Sequence, residues 1–132
     1  MGKKRRKQTQ RFRDAVFKRD KYTCVGCGFV SSPEQADHEL AAHHITPRQE
    51  MPNGGYVQEN GVTLCDPSKA GKPLAHGCLY KAEMVLQIFS VTGDYQKKRT
   101  EHEPFAKFTP SALYEAIGSS HEAAVRAAEY LT

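Results

Sequence analysis

Four cysteines and a pair of adjacent histidines carry the most distinctive chemistry in this chain of 132 residues. Cys24-Val-Gly-Cys27 separates two thiols by two residues, a knuckle whose turn lets both sulfurs reach one Zn2+ at about 2.3 Å. Gly26 and Gly28 supply the conformational freedom of a tight turn. Cys65 and Cys78 complete a tetrahedral set of four, although their twelve-residue spacing is wider than a second knuckle usually has. Buried free thiols are the plain alternative, and a redox pair is disfavoured because no βαβ pattern surrounds the motif. Zinc in a shell of four thiolates has no open position, so it would hold the fold and not react. His43-His44 is followed by Ile45-Thr46-Pro47. Neighbouring side chains on a flat strand face opposite ways, so a shared site predicts a bend or bulge there.

The elements that must position these residues are legible in outline. Phe12, Ala15 and Val16 fall at helical spacing, predicting a helix from Thr9, its N-cap, to Arg19 behind a flexible basic arm, 1–8. A strand is expected over 38–46 and ends at Pro47. Residues 47–60 are rich in turn formers, a second short strand covers 62–64, and 66–77 form a loop. Leu79, Ala82, Val85, Leu86 and Phe89 predict a helix from Cys78 that stops at Gly93. Residues 94–104 are a charged connector. Thr109-Pro110 opens a further helix that Gly118 ends, and Ser119-x-x-Glu122 reads as a capping box for a last helix over 120–131.

Composition narrows the class. An apolar content of 39% and a mean hydropathy of −0.64 describe one modest core, which gains from a metal staple. No apolar run is long enough for a membrane span, and the basic N-terminus is not followed by the apolar segment of a signal peptide. The expected location is therefore intracellular, cytoplasmic in a bacterial or phage setting. Residues 1–20 carry nine Lys or Arg against Asp14 and Asp20, leaving ten basic and thirteen acidic residues beyond them. Lys3, Lys4, Arg5, Arg6, Lys7, Arg11 and Arg13 are candidate contacts to DNA phosphates; a solubilising tail is the alternative.

Arg19-Asp-Lys-Tyr-Thr-Cys-Val-Gly-Cys-Gly28, Ala42-His-His-Ile-Thr-Pro47, Asn60-Gly-Val-Thr-Leu-Cys65 and Cys78-Leu-Tyr-Lys-Ala-Glu83 follow one another in an order that resembles the HNH endonuclease family. The resemblance spans about residues 10–90. It implies an α+β fold: a small ββα-metal (His-Me finger) core stapled by zinc, with a basic N-terminal helix and C-terminal helices. On that basis 9–93 is the nuclease domain and 94–132 a C-terminal helical extension. His43 corresponds to the ligand of the catalytic metal and His44 to the general base. Asn60 corresponds to the Asn of the family name, which orients the base or its loop. The chemistry is coherent: imidazole takes a proton from water near neutrality, and a divalent ion offsets charge on the phosphate and the leaving oxygen.

The chain departs from the family pattern at Leu79, where a histidine is expected on the first turn of the metal-site helix. His76 is the nearest substitute. It curls back to the catalytic metal, joins the zinc shell, or leaves the catalytic ion to His43, water, Asp66 and DNA phosphates. His38, His102 and His121 lack motif partners and read as surface residues. The expected activity is metal-dependent DNA hydrolysis or nicking with Mg2+, Mn2+ or Ni2+. The alternatives are a zinc-stabilised DNA-binding module without catalysis, and a thiol-handling protein. The C-terminal helices suit either homodimerisation or capping of the core.

Overall fold

The computed structural model describes residues 3–66, 77–92 and 106–131, with side chains at 7–66, 77–87 and 106–131. These residues form a small α+β arrangement of helices around a two-stranded antiparallel sheet. Helix α1 runs Lys3–Arg19, six residues longer than the sequence predicts. Lys, Arg and Gln are good helix formers, and no Gly or Pro interrupts them after Gly2. Thr9 therefore lies inside the helix and is not its cap, and 3–8 are helical. Phe12, Val16 and Phe17 bury one face.

The end of α1 is pinned to the sheet. Arg19 forms a two-pronged ion pair with Asp20, at 2.9 and 2.8 Å, and donates to the carbonyls of Gln58 and Gly61 at 2.5 and 2.7 Å. Asp20 in turn accepts the Thr63 amide at 3.0 Å. The cysteine knuckle follows, moored to the sheet by the Val25 amide on the Thr63 carbonyl at 2.9 Å.

Helix α2, Ala36–Glu39, is one turn occupying the first part of the expected strand. Ser32 winds it, accepting the Gln35 amide on its hydroxyl and the Ala36 amide on its carbonyl. Strand β1 is thus confined to Leu40–His44, and it pairs with β2, Gly61–Cys65. The register is unbroken from Leu40 opposite Cys65 to His44 opposite Gly61. No bulge occurs at the histidines, contrary to the sequence expectation. Ala41, His43, Val62 and Leu64 share one face; Ala42, His44, Gly61 and Thr63 share the other, which lies against α1. A Cβ at Gly61 would strike Val16 and Phe12, so the close approach of α1 requires glycine there.

Helix α3, Cys78–Thr92, packs against β2 through its N-terminal half, where Ala82 and Val85 are fully buried. Helices α4, Pro110–Ala116, and α5, His121–Glu129, close the chain. Thr109 caps α4 as predicted, accepting the Ala112 amide at 3.3 Å. The cap of α5 is Ser120, which accepts the Ala123 amide at 3.0 Å. Ser119, the expected cap, instead donates to the Glu59 carbonyl at 3.0 Å, because the turn at Gly118 aims it at the sheet side. Leu113, Tyr114, Ala124 and Ala128 belong to the same hydrophobic core as Leu40, Ile45 and Val62. Among the described residues no helix is long and apolar enough to cross a membrane.

Candidate functional site

The four cysteines converge. Their sulfurs all lie within 4.8 Å of one another, and Cys24, Cys65 and Cys78 are buried. Cys27 and Cys65 are 3.8 Å apart, matching the edge of about 3.8 Å of a tetrahedron with bonds of about 2.3 Å. The Cys78 amide points at the Cys65 sulfur at 3.4 Å. Gly28 has the left-handed φ of +82° expected of it. Gly26 is glycine for a different reason: a Cβ there would lie 2.8 Å from the Cys78 sulfur and 2.7 Å from the Phe108 ring.

Three of the thiols influence one another's titration. A hydrogen bond from Cys78 draws Cys24 down to about 5 and pushes Cys78 up, while burial raises Cys27 to about 11. Without a cation these three sites therefore favour a thiolate at Cys24 and protons on Cys27 and Cys78. A metal ion reverses that balance, because four thiolates this close repel unless a positive charge sits between them. The cluster is compatible with a structural metal ion, and the donor set of four sulfurs suits one.

The histidines sit at the far end of β1. His43 is 8% exposed and His44 is half-buried. His44 stacks on Phe12 of α1, with centroids 4.4 Å apart, and meets the Tyr56 ring edge-on at 4.9 Å. Arg48 donates to the Tyr56 hydroxyl at 2.8 Å and adds a positive charge beside the same ring. The Nε2 atoms of both histidines are sealed from solvent without a hydrogen-bond partner among the described residues. An unpartnered buried nitrogen costs about 1–3 kcal/mol, so this pair is not optimised for stability.

Burial holds both rings at about 4, with a contribution from His44 at His43 and from Arg48 at His44. The folded value of His43 is below its unfolded one, so the unfolded chain binds the proton first as pH falls. The contribution of His43 to stability then falls between about pH 6.5 and pH 4, by on the order of 3 kcal/mol, and that contribution is constant on either side. Carbon-13 shifts of the two imidazoles should stay at their neutral values down to about pH 5 in folded protein. Titration near 6.5 would show that the rings are open to water.

Asn60 is fully buried and fully bonded. Its Oδ1 accepts the Thr46 amide at 3.0 Å and the Tyr114 hydroxyl at 2.7 Å. Its Nδ2 donates to the carbonyls of Thr46 and Gly55 at 3.1 and 3.3 Å. With its bonding capacity taken up, Asn60 acts on the loop after His44 and not on the imidazole.

The remaining predicted residues are less concentrated. Lys7 and Arg11 are exposed and, with Lys18, share one face of α1, with Asp14 between them. Arg13 pairs with Asp37 at 2.6 Å on the exposed surface. The side chains of Lys3, Lys4, Arg5 and Arg6 lie outside the described set, as do His76 and His102. Among the described residues the cysteine cluster is the only group of three or more metal-ligating side chains. Leu79 is partly buried against the core, and Asp66 is buried beside the cluster.

Sequence reading missed Arg19, Tyr114 and His121. His121 is exposed as expected, yet its Nδ1 lies 3.2 Å from the Thr46 hydroxyl. Of the three, Arg19 carries a signal in its place just before the knuckle, and Tyr114 a weaker one in the Leu113-Tyr114 pair of the C-terminal tail. Comparison with protein-family models, with curated proteins and with solved structures finds no match, leaving residue chemistry and geometry as the basis for assigning a function.

Proposed function

We propose that this chain is a metal-dependent DNA endonuclease or nickase of the HNH kind, with zinc held by Cys24, Cys27, Cys65 and Cys78 as a structural ion. One observation carries the reading: two adjacent histidines, kept neutral by burial and short of hydrogen-bond partners, sit beside a loop that a saturated asparagine immobilises. Neutral imidazole is the form that can ligate a metal or accept a proton, and the negative charge of a bound phosphate would raise the proton affinity that burial lowers. In this reading β1, β2 and α3 are the ββα-metal unit and His43 would ligate the catalytic ion; because His43 and His44 face opposite sides of the unbulged β1, one phosphodiester would reach both only at the end of the strand. When bound, a divalent ion such as Mg2+ offsets charge on the phosphate and on the departing 3′ oxygen.

His44 takes the proton of a water as its oxygen attacks phosphorus and the P–O3′ bond breaks. Because Nε2 is sealed, Nδ1 is the nitrogen left to meet that water. Arg48 and the exposed lysine and arginine of α1 draw the polyanion towards the site. Supercoiled plasmid incubated at low salt with Mg2+, Mn2+ or Ni2+ is expected to be nicked. His44→Ala should slow the reaction by about 10²–10⁴-fold with zinc content unchanged. Absence of nicking with all three ions by folded protein sinks the proposal.

A second reading, a zinc-stabilised DNA-binding module without catalysis, is favoured by Leu79 in the first turn of α3. It predicts salt-dependent DNA binding, no cleavage, and indifference to His44→Ala.

A further inference from the structure

We propose that Tyr114, in the C-terminal helix α4, is a positioning residue for the histidine site, acting through Asn60 and Thr46 on the loop that follows His44. This rests on the nuclease reading for its catalytic consequence, but the contacts stand independently of it.

The hydrogen-bond directions are fixed by proton supply. Asn60 Oδ1 can only accept, so the Tyr114 hydroxyl spends its one proton there, at 2.7 Å. Thr46 Oγ1 is also 2.7 Å from the Tyr114 oxygen, and at that distance one of the two must donate. Tyr114 has no proton left, so Thr46 donates to it. Thr46 Oγ1 is then an acceptor, and His121 must offer its Nδ1–H across 3.2 Å. A one-way chain results: His121 to Thr46 to Tyr114 to Asn60. Three of its members are buried, with Asn60 0%, Tyr114 4% and Thr46 9% exposed. Burial also raises the Tyr114 hydroxyl above its usual range, which keeps the donated proton in place.

The chain matters because of where it ends. Asn60 holds Thr46 by both amide and carbonyl, and the Ile45 amide bonds the Asn60 carbonyl at 2.9 Å. These are the two residues immediately after His44. Without the Tyr114 proton, Asn60 Oδ1 keeps one donor of two, and the Thr46 hydroxyl loses its acceptor. Residues from α4 and α5 thus finish the orientation of a side chain more than fifty positions earlier in sequence.

The test uses the full-length, zinc-loaded chain with Tyr114→Phe, which removes the hydroxyl and keeps the ring. Amide hydrogen exchange at Thr46 is expected to quicken at least tenfold, and the His44 ring resonances to broaden. The single-turnover nicking rate should fall about tenfold with half-saturating DNA concentration unchanged. Thr46→Ser retains the hydroxyl and should behave as the parent, whereas Thr46→Val should resemble Tyr114→Phe. Unchanged exchange at Thr46 overturns the proposal, as does a rate loss that falls equally on Thr46→Ser. If the parent protein cuts nothing, the nuclease reading fails, and exchange at Thr46 with the His44 line shape still decides whether Tyr114 holds the loop.

Discussion

Replacing Cys65 by Ser is expected to abolish cooperative folding. Cys65 joins the end of β2 to the knuckle and to the first residue of α3, and its sulfur lies 3.8 Å from that of Cys27. A structural zinc ion in a small domain contributes on the order of 10–16 kcal/mol at pH 7, as much as the roughly 5–15 kcal/mol of net stability such a domain has. With the proposed zinc bound, loss of one ligand would leave three crowded sulfurs and an exposed ion. Far-UV circular dichroism should show a broad, non-cooperative melt for Cys65→Ser, and zinc quantitation should fall from one equivalent to a small fraction. A strong chelator should bring the parent protein to the same state. A Cys65→Ser variant that melts sharply at the parent temperature would mean that the cluster is a set of buried thiols.

The second large effect is expected at Asn60. Asn60→Asp keeps the shape but turns a donor of two hydrogen bonds into an acceptor facing the carbonyls of Thr46 and Gly55. Two carbonyls lose their partners and a buried negative charge meets them, which should cost on the order of 4 kcal/mol. Urea denaturation at pH 7 measures it directly. Asn60→Ala should cost a similar amount by leaving the Tyr114 hydroxyl and the Thr46 amide without an acceptor. A loss below about 1 kcal/mol in both variants would show that the loop is held by other contacts.

The parts of this structure that were legible in the sequence are those whose physics is local. The Cys24–Cys27 knuckle, the Thr109 cap with Pro110 behind it, and the α3 stripe of Ala82 and Val85 each follow from spacing over a few residues. The pairing of Cys65 and Cys78 with that knuckle followed from chemistry, since four reduced thiols in one small chain have few other uses. What escaped was set by tertiary contact. Ser119 and Ser120 offer the same cap by composition, and only the Ser119 bond to Glu59, sixty residues earlier, decides between them. The straight β1 through His43 and His44 was hidden as well. The expectation of a bulge assumed that both rings serve one side, whereas pairing with Gly61 lets α1 press on one ring and leaves the other on the opposite face. Asn60 is legible from its motif and Tyr114 from a weaker C-terminal pattern, but nothing in the sequence joins the two across 54 positions.

The four-cysteine cluster also determines where the chain can change length. Cys65 and Cys78 bring the end of β2 and the start of α3 to one point regardless of what lies between them. Twelve residues lie between the two cysteines in sequence, and doubling the length of a flexible loop between two fixed ends adds only about 0.6 kcal/mol of closure entropy. An inserted peptide, reporter tag or recognition segment at this position would therefore burden the fold far less than one placed between His44 and Asn60, where the connecting residues are themselves part of the clamp.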